Sequence, residues 1–213
     1  MDNGIWKFDF YERKVSFKIL RYGLYFVVVF AVVIALWGLA KHYQTDTFAE
    51  HGLVENLQLG LLFLSTVCFS FLALRDKFYR PVLFFLAGLT AFCFVRELDS
   101  FFDKLLPVVT WKFAWLFPLL ALFYAWSHRY EAKAALFKFL DSTAFDLLFV
   151  ALIVFVPLAQ AVGHVSFIRD SVGDFENMSD IRRLIEESLE LVAYVLIFLS
   201  APEIYFSLIK EKH

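Results

Sequence analysis

The amino-acid sequence predicts an all-α membrane protein: a six-transmembrane-helix bundle with both termini cytoplasmic and a short N-terminal interfacial segment. Three observations lead there. Of the 213 residues, 61% are hydrophobic and 20% aromatic, and the mean hydropathy is +0.66; a soluble domain is roughly 45–50% apolar. Six stretches approach the ~20 mostly apolar residues that a crossing helix needs. Lys and Arg gather in alternate connections, which is the pattern that orients membrane helices. Six spans sharing one bundle make residues 1–213 a single domain.

The elements follow in order. Residues 1–21 form a basic leader in which Trp6, Phe8 and Phe10 alternate with charge, as in a segment lying along a membrane surface. The first span, 22–40, has an apolar run longer than a signal peptide's 7–15 residues, so it reads as an uncleaved anchor. Further spans are expected near 52–74, 81–98, 109–127, 143–164 and 189–209. The longest connection, about 165–188, is external. Within it Asn177 and Asp180 have capping-box spacing, so a helix can start there and run into the last span. Lys7, Arg13, Lys14, Lys18, Arg21, Arg75, Lys77, Arg80, Arg129, Lys133, Lys138, Lys210 and Lys212 all fall on one face, thirteen of the 20 basic residues. That face is cytoplasmic by the positive-inside rule. The overall pattern is that of a small multi-pass protein of a bacterial inner membrane.

Composition also excludes. The basic residues are dispersed and accounted for by topology, so nucleic acid is not an expected partner. The two cysteines, Cys68 and Cys93, lie inside apolar runs at different depths, and neither a disulfide nor a metal pair is expected of them. There is no Gly-x-Ser-x-Gly elbow, His-Glu-x-x-His pair, Cys-x-x-Cys pair or Gly-rich phosphate loop.

What remains informative is a convergence of polar residues. Threading the spans brings His51, Glu55, Glu97, Asp99, Asp103, His164, Glu186, Glu187 and Glu190 to the outer edge of the bundle. Ionisable groups at membrane depth are costly and point to a site for ions, protons or a polar substrate. His51, Glu55 and Gln58, spaced i, i+4, i+7, share one face of the second span. Arg96, Asp99 and Asp103 share a face at the end of the third, where Arg96 can neutralise Asp99 and Glu97 projects elsewhere. Lys112, flanked by Trp111 and Trp115, can snorkel to the interface or pair with Glu97 or Glu190. On the last span Arg182 and Arg183 are spaced to pair with Glu186 and Glu187. Glu190 has no such partner and is the expected inward-facing carboxylate.

Three functions are open at this stage. In a metal-dependent hydrolase acting on a lipid-like substrate, His51, His164, Glu55 and Glu190 would hold a divalent ion. Glu55, Glu97, Asp99 and Glu190 would supply the carboxylates for catalysis, and Arg96, Lys112 and Gln58 would pair charge or bind substrate. In a proton- or cation-coupled carrier, Glu55 and Glu190 are outer binding carboxylates, and Asp146 and Glu203 form an inner exit. In a structural subunit, the acids make salt bridges within the chain or with a membrane-protein partner.

Overall fold

The computed structural model describes residues 3–43, 48, 52–98, 111–163 and 178–206, and among these there is no β-strand. Helix α1 (Asn3–Tyr43) is followed by α2 (Leu53–Arg75) and α3 (Arg80–Glu97). A 3-10 turn over Trp111–Trp115 leads into α4 (Leu116–Ser127). Then come α5 (Arg129–Leu140) and α6, which begins at Thr143 and runs through a π segment (Val154–Ala159) to Gly163. Helix α7 (Met178–Ile204) completes the chain's described part. The π segment contains Pro157, whose missing N–H breaks the i→i−4 ladder there.

Two helices are long and apolar enough to cross a membrane by themselves, Val15–Lys41 and Leu53–Arg75; a third candidate is the pair Arg129–Leu140 and Thr143–Ala159, bent by 81°. Helices α3 and α7 fall short for a common reason. Helix α3 holds Arg80, Arg96 and Glu97 within its 18 residues, and the most apolar end of α7, from 187 onward, still holds Glu187, Glu190 and Glu203. Arg80 donates to the Ala73 and Leu74 carbonyls at the end of α2; the other five of these charges build the sites described below.

Two expectations are modified. No break separates the leader from the first span: α1 is a single 41-residue helix, about 60 Å long at 1.5 Å per residue, with no proline in it to remove a backbone donor. The connection after α4 is also not a loop but the helix α5.

The molecule is packed as apolar helices pack in an apolar solvent. Large side chains point outward: Phe26, Phe123 and Trp126 are all about 70% exposed. Among the described residues ten of the 26 buried apolar side chains are alanines, and the buried polar ones include Gln58, Ser65, Thr90, Glu190, Ser200 and Glu203. Small residues at helix contacts and polar groups inside are the reverse of a soluble core and suit a lipid surround. At Gly88 the approach is closest: a Cβ there would lie 2.9 Å from the Phe117 carbonyl oxygen on α4. Helices α2 and α3 form an antiparallel hairpin turned by Asp76, whose Oδ1 accepts from the backbone N–H groups of Phe78 and Tyr79 at 2.8 and 3.0 Å. Helix α7 packs on α2 and α6, and α1 lies against α7. Glu55, Arg96, Glu97 and Glu190 thus arrive at one end of the bundle.

Candidate functional site

The site expected at the outer edge, and called outer for that expectation, is assembled from α2, α3 and α7. On α2, Gln58 is fully buried. Its Nε2 donates to the Glu187 backbone carbonyl at 3.1 Å and to Glu187 Oε2 at 3.0 Å. Its Oε1 is buried and accepts from nothing among the described residues. Glu55, one turn earlier, is half-buried. The last turn of α3 supplies Arg96 and Glu97. The Arg96 guanidinium reaches Glu97 Oε1 at 3.8 Å and Glu190 Oε1 at 4.0 Å, and lies 5.8 Å from the centre of the Phe155 ring on α6. On α7, Glu187, Glu190 and Tyr194 are spaced i, i+3, i+7 along one face. Glu190 is buried, and the Tyr194 hydroxyl donates to Glu97 Oε1 at 2.9 Å. Tyr194 in turn packs against Phe155, with ring centres 5.4 Å apart.

The electrostatics are unbalanced. One guanidinium serves Glu97 and Glu190, at distances longer than the 2.7–2.9 Å of a well-formed charge-assisted bond. Glu187 is met by the neutral Gln58 amide. Glu187 lies just outside the expected 189–209 span, and its carboxyl is pushed up to about 6. Burial is the main cause; the negative charges of Glu97, Glu186 and Glu55 push the same way, and the Gln58 hydrogen bond works against both. Glu55 on α2 and Glu97 on α3 both lie near enough to Glu187 on α7 to add to that rise.

The expectations from sequence divide accordingly. Glu55, Gln58, Arg96, Glu97 and Glu190 are brought together. Lys112 is not: its side chain is exposed and makes no ion pair among the described residues. Arg182 pairs with Glu186 at 3.8 Å as its spacing suggests. Arg183 is exposed, and Glu187, its expected partner, turns inward to Gln58 instead. Arg96 pairs with Glu97, which the helical wheel directs elsewhere; a long guanidinium stem covers the ~100° between neighbouring positions. His51, Asp99, Asp103 and His164 lie outside the described residues. Among the described residues no three His, Cys, Asp or Glu side chains are placed to hold a metal ion. Sequence reasoning missed Tyr194, which reads as one more aromatic in an apolar run, and underrated Glu187, whose apparent partner Arg183 concealed its inward direction.

A second polar centre occupies the other end of α7, about 20 Å away by helical rise. Glu203 is fully buried; Arg21 Nη2 lies 3.2 Å from its Oε1. The Tyr25 hydroxyl donates to Oε2 at 3.0 Å, and the Thr143 hydroxyl to Oε1 at 2.7 Å. The guanidinium itself lies 5.5 and 5.2 Å from the ring centres of Phe17 and Phe206. Asp146, the other expected inner acid, is exposed. The inner centre is therefore neutralised within the chain and ties α1, α6 and α7 together, while at the outer centre the one guanidinium among the described residues is shared by Glu97 and Glu190. A groove of about 400 Å³ bounded by α2, α3 and α4, including Thr66, Ser70, Gly88 and Tyr124, shares no residue with either centre.

Fold and site together define a helical protein with two or three apolar segments long enough to cross a membrane and a buried acidic centre at one end. No family model, curated protein or solved structure matches the chain.

Proposed function

We propose that this chain is a six-span, multi-pass protein of a bacterial inner membrane, with both termini cytoplasmic, whose outer end takes up a proton or small cation in the service of a carrier. One observation carries this reading. Glu97 and Glu190, from two helices, share the guanidinium of Arg96, Glu187 meets only the neutral amide of Gln58 among the described residues, and the buried Gln58 Oε1 has no donor among them. Such a set of acceptors is costly in an apolar surround unless a cation or proton enters it. The ligand side would be a small polar species, with the bilayer as the other partner.

The hydrolase reading depends on His51 and His164, which lie outside the described residues, as ligands of a divalent ion; the carrier reading is preferred because it needs only carboxylates of the kind gathered around Arg96 and Gln58. The structural reading treats Arg96 as the reason for Glu97 and Glu190. Purified protein reconstituted in liposomes tests the preference. A pH gradient or a monovalent cation gradient should dissipate faster than in protein-free liposomes, and Glu190→Gln together with Glu187→Gln should reduce the rate at least tenfold. Flux that survives both substitutions refutes the carrier. Stoichiometric metal in the purified protein, lost in a His51→Ala/His164→Ala variant, would move the reading to the hydrolase.

A further inference from the structure

The connection between α4 and α6 is a helix with no place in the outer site. Its axis turns by 81° from that of Thr143–Ala159. The joint is fixed by Ser142, whose hydroxyl donates to the Phe139 carbonyl at 2.6 Å and accepts from the Phe145 N–H at 3.3 Å. A helix set nearly at right angles to a crossing segment lies along the bilayer plane. One side of α5 is anchored: Ala135 and Phe139, one turn apart, are buried in the cluster that also holds Leu83 and Ile204.

The rest of its surface has two characters at once. Tyr130 is 81% exposed and Phe137 63%, with Leu136 and Leu140 also exposed. Against them stand Arg129, Lys133 and Lys138, with Glu131 the one acid of the helix. Each cationic head lies beside an aromatic ring: Arg129 5.2 Å from the centre of Tyr130, Lys133 6.0 Å from Phe137, and Lys138 5.0 Å from Phe78. Arg129 and Lys133 share a face, one turn apart. In water such a surface would expose large apolar groups for no return. At a headgroup boundary the rings enter the acyl edge and the cations meet phosphate.

We infer that α5 is an interfacial helix that docks on the cytoplasmic leaflet and binds anionic phospholipid headgroups through Arg129 and Lys133, with Lys138 flanking. The net positive charge of the helix selects an anionic lipid as its occupant. The inference rests on the six-span reading only in taking Thr143–Gly163 as a crossing segment and its start as cytoplasmic.

The test uses the full chain with Cys68 and Cys93 replaced by Ala, reconstituted in phosphatidylcholine vesicles with or without phosphatidylglycerol. Nitroxide labels on Tyr130→Cys and on Phe137→Cys should collide with oxygen, which partitions into lipid, rather than with a water-soluble nickel chelate. Nickel accessibility overturns the docking, and shielding from both reagents shows a protein-covered face and overturns it equally. Removing Arg129 and Lys133 as Gln should weaken phosphatidylglycerol binding about fivefold per cation, while Arg129→Lys/Lys133→Arg keeps it. Unchanged binding in the double Gln variant overturns the headgroup assignment. Labelling of Asp141→Cys by an impermeant maleimide reports the leaflet separately, so reaction from the outer side alone refutes the orientation and the cytoplasmic leaflet named here.

Discussion

At the scale of single residues, the outer and inner centres differ in how their charge is answered, and that difference is measurable. Glu187 has its carboxyl raised to about 6 by burial and by neighbouring acids, against about 4.3 for an unperturbed Glu. A raised acid penalises the fold while ionised. The penalty is fully present above about 6 and is relieved as pH falls through 6 towards the ordinary value. The melting temperature in detergent should therefore rise more between about pH 7 and about pH 5 in the wild type than in Glu187→Gln, which has no charge to lose at 187 and still offers Gln58 an acceptor. Equal pH slopes in the two proteins would contradict the shared-space geometry. The inner centre predicts the opposite behaviour. Removing one partner of the Arg21–Glu203 pair leaves a buried charge, so Arg21→Met should cost about 3 kcal/mol. The Arg21→Met/Glu203→Met double variant should recover most of it. Thermal or denaturant unfolding of the three proteins measures this cycle, and additive losses would show that the two residues do not act on each other.

At the scale of helices, close approach depends on side chains that are nearly absent. Gly88 on α3 faces the Phe117 carbonyl and Ala121 on α4, and a methyl group there must push backbone rather than a flexible side chain. Gly88→Ala should destabilise by about 1–3 kcal/mol despite its better helix propensity. A methyl group at Gly60 would meet nothing within 4 Å among the described residues, so Gly60→Ala is the control and should be neutral or stabilising. Thermal melts of the two variants beside the wild type decide the comparison. Helix existence and approximate bounds were partly legible from the apolar runs: α2 and α3 fall within a residue of them, whereas α7 starts at Met178, eleven residues before its apolar run and where the Asn177–Asp180 spacing allows a helix to begin. The amphipathic α5 was not, because twelve residues with four charges read as a basic loop until Ala135 and Phe139 are seen packed inside.

At the scale of the whole molecule, orientation follows from the distribution of Lys and Arg. Reporter fusions after Lys212 and within 170–176 should read cytoplasmic and external, respectively. The reverse result would place the acidic centre on the inner side and α5 on the outer leaflet. An odd number of crossings would refute the six-span topology while leaving Glu97 and Glu190 together at Arg96.

Composition and run length by themselves determined a helical chain with apolar runs long enough to cross a membrane. Backbone polar groups in an apolar solvent have to be satisfied within each helix, so local apolarity is enough to specify helices there. Which acid meets which base was decided only by tertiary structure. A helix apolar on all sides has no stripe from which its rotation can be read. That rotation comes from the fit of small residues between neighbours, as at Gly88 and Ala121. It is this packing that turns Glu187 from Arg183 to Gln58, gives Glu97 both Arg96 and Tyr194, and buries Glu203 against Arg21 and Tyr25, the latter 178 residues away in the chain.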